Sequence, residues 1–332
     1  MVDKNLKIAL IGGYPPPPGG ASIHIKRLHF NLLKSNDQSH VYNFSSSVYG
    51  EKNVINMKKL TNWWKILFIK KDIFHIHTTS NHWIRVALQY VLGRMNKAKV
   101  IITYHSLRFK YHDFNFFSRK VLQIIFNNTS RFMVTNSEIK ETLITLGADG
   151  NKISVIPSFI PPNNFENAKK ILPNQINNFI KDHQPVISAY AYTLKSTSLN
   201  LQGKDTTDLY GIGLLVDLCV ILKRKYSRIG IILWVTHFND ESTLKNIKLK
   251  ILNNNISDNF LIYGKTIKDI YYLWSKSDVF VRPTLSDGDS VALREALWLN
   301  TPSVASDSVL RPEGTEIFKN HESILLNHTK KP

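Results

Sequence analysis

The 332-residue sequence holds one cysteine, Cys219, so no disulfide can form within the chain. Its neighbours are apolar and helically spaced, which makes it a small buried hydrophobe, and scarce cysteine fits a reducing, cytoplasmic compartment. Long apolar runs are absent as well: no window approaches the ~20 uninterrupted apolar residues of a membrane span. Met1 to Lys7 lead straight into a strand-like Ile8–Ile11 with no cleavage site behind it, so a signal peptide is not expected. No G-x-G-x-x-G fingerprint, Walker A loop, Gly-x-Ser-x-Gly elbow or zinc-protease helix occurs, which removes several large enzyme classes. Acidic residues are the last shortage. There are 25 Asp and Glu against 43 Lys and Arg, a formal net charge of +18.

That surplus favours an anionic partner: nucleic acid, an acidic lipid surface or a phosphorylated substrate. The distribution narrows the choice. Met57 to Lys71 mixes Lys58, Lys59, Lys65, Lys70 and Lys71 with Trp63, Trp64 and large aliphatics, and Leu107 to Lys120 repeats the recipe with Arg108, Lys110, Arg119 and Lys120. Basic residues interleaved with rings suit a membrane interface, where the rings enter the headgroup layer and the cations meet anionic lipid. The plainer reading is an amphipathic helix packed on its own domain with a solvated lysine face. No nucleic-acid module accompanies the charge, so nucleic acid is not the expected partner.

The length suggests two domains, and strand-like and helix-like segments alternate from end to end, as in α/β layers over parallel sheets. Strands are expected at 8–11, 73–77, 100–104, 132–135 and 153–157, and again at 186–190, 229–235, 260–263, 279–282 and 303–306. Helices are expected at 21–34, 85–95, 121–127, 137–146, 209–223, 267–274 and 291–300. The Asn- and Pro-rich stretch from Phe159 to Ile180 breaks the rhythm and reads as a linker. The expected division is 1–165 for a first domain, 166–184 for the linker and 185–332 for a second domain, with a cleft between the two.

Three features carry chemistry. Ser286 to Leu297 follows an apolar strand and opens a helix, placing Asp287 at the mouth of a turn and Glu295 about two helical turns inside. Carboxylates so placed can take hydroxyls, while the backbone N–H groups of Gly288, Asp289, Ser290 and Val291 can take a phosphate. Near the N-terminus, Gly12-Gly13-Tyr14-Pro15-Pro16-Pro17-Pro18-Gly19-Gly20 joins the first strand to the first helix; its glycines permit close ligand approach, and a proline-stiffened turn is the alternative. Finally, His75 and His77 alternate along one strand and His105 ends another. Three histidines invite a metal, but no Cys or Glu completes a ligand set, so none is expected. His105 instead stands where open α/β sheets gather their active sites.

These residues resemble the GT-B glycosyltransferases, specifically family 4 of retaining, nucleotide-sugar-dependent enzymes. Asp287 to Ser290 with Glu295-Ala296-Leu297 is similar to that family's E-x7-E region, and Thr301 to Ser306 to its following strand. The glycine loop through Ser22 and His24, Asp72 to His77, Thr103 to Ser106, Ser137-Glu138, Val155-Ile156-Pro157 and Ser277 to Val281 add matches in the family's order. The resemblance implies two Rossmann-like domains whose parallel sheets face across a cleft. Glu295 would bind the donor ribose, Asp287 the sugar hydroxyls, and Gly288 to Val291 the sugar and diphosphate. His105 would contact the transferred sugar, and Gly19 and Gly20 would lie beside the phosphates and acceptor. No metal or cofactor is implied beyond the nucleotide-sugar substrate.

Two departures stand out. The leading carboxylate is Asp rather than Glu. The Arg–Lys pair that clamps the diphosphate after the first strand of the second domain is missing: Tyr210 stands where the lysine is expected, leaving Lys195, Lys204 or Lys265 as substitutes. The chain also ends sooner after Glu313 to Phe318 than the family usually does. The resemblance therefore implies a transferase acting on a glycan or polyprenyl-linked acceptor in bacterial capsule, O-antigen or exopolysaccharide synthesis. It would be cytoplasmic and peripheral on the inner face of the plasma membrane, with Lys58, Lys59, Trp63, Trp64, Arg108 and Lys110 toward lipid and acceptor. The alternative is a weakly active or inactive GT-B subunit that serves a membrane assembly.

Overall fold

A computed structural model describes residues 5–45, 51–68, 70–79, 83–107, 115–162, 165, 171–194, 208–238, 240–267, 269–285 and 287–319. The chain divides into two compact units, Met1–Asn163 and Asn164–Pro332. In the first, strands β1 (Lys7–Gly12), β2 (Gln38–Asn43), β3 (Val54–Asn56), β4 (Ile73–Thr78), β5 (Lys99–Tyr104), β6 (Arg131–Val134) and β7 (Ile153–Val155) form one parallel sheet in the order β3-β2-β1-β4-β5-β6-β7. Helices α1 (Gly20–Lys34), α2 (Trp63–Phe68), α3 (Trp83–Met95), α4 (Phe116–Asn128) and α5 (Ser137–Thr145) join them. The central strands read as apolar runs because helices cover both faces of a parallel sheet. Thus Leu10, Ile11, Phe74, Ile76, Ile102 and Tyr104 are wholly buried.

The second unit repeats the plan. Strands β8 (Val186–Thr193), β9 (Gly230–His237), β10 (Phe260–Tyr263), β11 (Val279–Arg282), β12 (Ser303–Ser306) and β13 (Thr315–Phe318) run parallel in the order β10-β9-β8-β11-β12-β13. They alternate with α6 (Asn174–Asp182), α7 (Ile212–Lys223), α8 (Glu241–Asn253), α9 (Tyr271–Trp274) and α10 (Val291–Trp298). Cys219 is buried in this core, as its apolar neighbours predict. No helix among the described residues is long and apolar enough to cross a membrane.

In each unit the strand order reverses at one place, β1/β4 in the first and β8/β11 in the second. There the connections from adjacent strands leave toward opposite faces, and a crevice opens at the carboxyl edge where open α/β sheets hold ligands. His77, His105 and the Asp287 turn follow strands at or next to such a place.

Several elements differ from the sequence reading. β2, β3, α8 and β13 go unannounced because Gln38–Asn43 and Glu241–Asn253 are half polar and the edge strands β3 and β13 are short. Helix α7 starts at Ile212 rather than Leu209. Gly211 sits at φ +66°, and a Cβ there would lie 2.1 Å from the Pro283 carbonyl oxygen, so only glycine lets α7 begin against the end of β11. The expected linker is corrected most: residues 174–182 form α6, with Ile176 fully buried beside Val186, Ile232 and Trp234. Truncating a fully buried isoleucine removes transfer energy and leaves a cavity. Ile176→Ala is therefore expected to lower unfolding stability by about 2–5 kcal/mol in denaturant titrations. A loss below about 0.5 kcal/mol would mean that this stretch is a solvated linker after all.

Candidate functional site

In the first unit, β1, β4 and β5 are neighbours, so whatever follows their carboxyl ends converges. β1 ends in the glycine loop. Tyr14 N–H donates to Asn43 Oδ1 (2.9 Å), its hydroxyl to Glu51, and Gly19 N–H to Ser22 Oγ (2.9 Å). α1 opens on Gly19, which has no side chain to cap it, and carries no acidic residue in its first turn. One turn inside, His24 shares a 2.7 Å hydrogen bond through Nδ1 with the Ser158 carbonyl. His77 is the last residue but one of β4 and His105 follows β5, their rings linked Nδ1 to Nε2 at 3.2 Å. His75, lower on β4, is held by Thr103 Oγ1 at 2.7 Å.

Burial, then the proximity of the other imidazoles, pushes His75, His77 and His105 toward neutrality. His75 is lowered to about 3, and His77 and His105 well below the ordinary 6.5. Neutral rings at an edge can donate to or accept from a sugar hydroxyl, but they do not hold a proton near pH 7. Among the described residues, His77 Nε2 and His105 Nδ1 are buried with no hydrogen-bond partner, so this edge keeps hydrogen-bonding capacity unspent. One nitrogen each from His24, His77 and His105 lies within 4.8 Å of the others, a donor set that imidazole-binding metals can share. The sequence reading weighed His75 for that trio; the fold supplies His24, from 50 or more residues away, in its place.

In the second unit the turn after β11 is dominated by an ion cluster. The Asp287 carboxylate accepts from Arg282 Nε at 3.0 Å and from Arg311 Nη1 at 3.2 Å. Arg282 also donates to the Tyr190 carbonyl within β8 (2.7 Å) and lies 5.6 Å from the ring centres of both Tyr190 and Tyr210. Arg311 reaches the Ser306 carbonyl at 2.8 Å, and Thr284, Ser306 and Ser308 hydroxyls at 2.9 to 3.1 Å. Burial tends to raise the Asp287 carboxyl, but the two guanidiniums outweigh it and hold the group below the usual carboxylate range. Two cations against one anion leave the cluster net positive, while Asp289 and Arg294 form a neutral pair at 2.6 Å.

Helix α10 begins beside this cluster. Ser290 caps it by accepting from Leu293 N–H (3.3 Å), with Val291 next and Gly288 N–H turned onto Asp287 Oδ1 (3.2 Å). Glu295 is 3% exposed and accepts from Trp274 Nε1 at 3.1 Å. The fold thus gathers Asp287, Gly288, Asp289, Ser290, Val291 and Glu295. Lys265 is exposed and follows β10, three strand positions from β11, or roughly 14 Å at ~4.8 Å per strand. Lys195 and Lys204 lie outside the described residues. The N-terminus of α7, where the resemblance expects a lysine, is instead capped by Asp208, which accepts from Gly213 N–H at 2.6 Å.

Sequence reasoning missed Arg282, Arg311 and Trp274. A signal existed for Arg282: a charged residue ending a buried strand needs a partner, and Asp287 follows five residues later. Of the residues expected toward lipid, Lys58, Lys59 and Trp64 are exposed, whereas Trp63 turns inward against the first core. Arg108 and Lys110 lie outside the described residues.

Two parallel α/β units, each with its polar cluster at the strand-order reversal, follow the plan of the GT-B fold. Residues 18–164, nearly all of the first unit, match the family model described as Glycosyltransferase Family 4. No curated protein matches the sequence. Solved structures do match in fold. Anabaena HepE, in complex with UDP-glucose, gives a TM-score of 0.67 at 14% identity over 97% of this chain and 88% of that one. A glycosyltransferase from Rickettsia africae ESF-5 gives 0.68 at 15% identity, covering 98% and 88%. An E. coli structure described as Trehalose-6-phosphate, bound with UDP-2-fluoro glucose, gives 0.61 at 13% identity, covering 98% and 91%. At these identities the likeness is one of fold.

The neutral histidines make stability depend on pH. At pH 7.5 the imidazoles are neutral both folded and unfolded. Below about 6.5 the unfolded chain takes up protons that the folded one refuses, so stability falls as pH falls, by about 1.4 kcal/mol per pH unit for each fully affected histidine. Denaturant unfolding at pH 7.5 and 5.5 is expected to show this loss, and His77→Gln to flatten it. Equal stability at the two pH values would contradict a buried neutral cluster.

Proposed function

We infer that the chain moves a sugar from a nucleoside-diphosphate sugar to a lipid-linked or glycan acceptor during bacterial surface-polysaccharide synthesis. The observation that carries this reading is the net-positive Arg282–Asp287–Arg311 cluster at the strand-order reversal of the second unit. A diphosphate needs fixed positive charge near the point of bond cleavage, and charge already in place costs no reorganisation during reaction. Arg282, beside Tyr190 and Tyr210, supplies it where the expected Arg–Lys clamp is replaced, so no metal or cofactor is assigned. Asp287 and Glu295 take donor hydroxyls, and the helix start from Gly288 to Val291 takes phosphate oxygen.

The acceptor belongs to the first unit, with the glycine loop around Gly19 and Gly20 beside it and His105 on the transferred sugar. Transfer follows a same-face course, as the family resemblance implies. The bond from the sugar to the diphosphate oxygen breaks, the acceptor oxygen bonds to the same carbon, and a donor phosphate oxygen takes the acceptor proton. That HepE was solved with UDP-glucose supports a donor of this kind. The exposed basic and aromatic residues Lys58, Lys59 and Trp64 support work at the inner, anionic face of the plasma membrane.

A mass-detected screen of UDP-, GDP-, ADP- and dTDP-sugars is expected to show transfer or slow hydrolysis that releases the nucleoside diphosphate. Glu295→Gln should weaken nucleoside-diphosphate binding about 10- to 100-fold, the worth of a hydrogen bond to a charged group. Failure of every nucleotide sugar and nucleoside diphosphate to bind at millimolar concentration would overturn the reading. Binding without turnover would favour a weakly active subunit.

A further inference from the structure

The first unit presents a surface that sugar transfer alone does not require. Helices α2 and α3 are in contact, as are α3 and α4. Their exposed side chains include Trp64 at 64%, Phe68 at 70%, Leu88 at 64%, Met95 at 63% and Phe116 at 74%. None of the three helices contains a carboxylate. From residue 52 to residue 137 the sequence has fifteen basic residues against two acidic ones, Asp72 and Asp113. Exposed apolar side chains gathered on neighbouring helices without a carboxylate favour an interaction site. A second copy of the chain would bring like charge to like charge, whereas an anionic lipid complements it.

Within this surface lies a groove of about 610 Å³, lined by Phe44, Trp63, Ile84, Arg85, Leu88 and Leu92 among others. Its lining starts at the carboxyl edge of the sheet. Phe44 directly follows β2, its N–H donates to the Gly12 carbonyl at the root of the glycine loop (3.0 Å), and Ile84 and Arg85 begin α3 just after β4. From there the lining continues along α3 to Leu92. One cation, Arg85, stands at the edge end, and the rest of the wall is almost wholly apolar. A pocket of this volume, apolar with one charge at its mouth, suits a chain with an anionic head.

We propose that the groove between α2 and α3 holds the hydrocarbon chain of a phosphate-bearing lipid, the acceptor's anchor, with its head at the carboxyl edge beside Arg85 and the glycine loop. This deepens the reading of a lipid-linked acceptor and rests on it. The groove grips one chain, while the outer residues Trp64, Phe68 and Phe116 rest on the bilayer.

Calorimetry with hexyl, octyl and decyl phosphate, and with inorganic phosphate, tests the groove on the full chain. Affinity should climb with chain length, by up to roughly fourfold per methylene if burial is complete. Decyl phosphate should bind at least 10-fold tighter than inorganic phosphate. Leu88→Glu and Ile84→Glu, both at exposed positions, should each remove that advantage while leaving nucleoside-diphosphate binding unchanged. A Trp64→Ala/Phe68→Ala variant should do the reverse: retain decyl phosphate but lose flotation with phosphatidylglycerol–phosphatidylcholine vesicles. The proposal is overturned if affinity is flat with chain length, if both glutamate variants bind decyl phosphate as before, or if sedimentation shows a dimer that Leu88→Glu breaks. Failure of nucleotides to bind would instead strike the transferase reading alone.

Discussion

The second unit depends on one carboxylate held between two guanidiniums. Asp287, Arg282 and Arg311 are all largely withdrawn from water, and burying any one of them alone would cost several kcal/mol. Together they tie three strands at one point: Arg282, which ends β11, reaches the middle of β8 through the Tyr190 carbonyl, and Arg311 reaches the end of β12 through Ser306. The turn carrying Gly288 to Val291 is fixed by the same knot, since Asp287 begins it and Ser290 hands it to α10. A corner proposed to bind a sugar donor needs this rigidity, because positioning errors of an ångström weaken every interaction made there.

The two units solve different problems with one architecture. Both place polar clusters at the carboxyl edge, where the strand order reverses. The first fills that edge with imidazoles kept neutral by burial, suited to hydroxyls. The second fills it with a net-positive ion cluster, suited to an anion. Burial produces both outcomes. Without carboxylates nearby it strips charge from the histidines; with Arg beside Asp it preserves charge on both.

Much of the plan was legible in the sequence, for reasons particular residues explain. Ile73–Thr78, Lys99–Tyr104 and Val279–Arg282 announce themselves because strands buried on both faces are apolar runs. The Asp287–Glu295 turn is legible because strand, glycine-bearing turn and helix are contiguous. What could not be read is what tertiary proximity creates. His24 joins His77 and His105 only because β1, β4 and β5 are adjacent. Arg311 lies 24 residues beyond its carboxylate. Trp63 and Trp64 look alike in sequence, yet one packs inward and the other faces solvent. Helix α6 was hidden by its Asn-rich composition, although its one fully buried residue, Ile176, anchors it.

Under the proposed function Asp287, besides taking a donor hydroxyl, holds Arg282 and Arg311 in place for the donor phosphate. A double-mutant cycle tests it directly, with Asp287→Asn, Arg311→Gln and their combination, read by calorimetric binding of UDP at constant ionic strength. If the three groups act as one unit, each single change should weaken UDP binding by a similar factor, and the pair should lose little more than either alone. Strictly additive losses, or UDP affinity unaltered by both substitutions, would contradict the account.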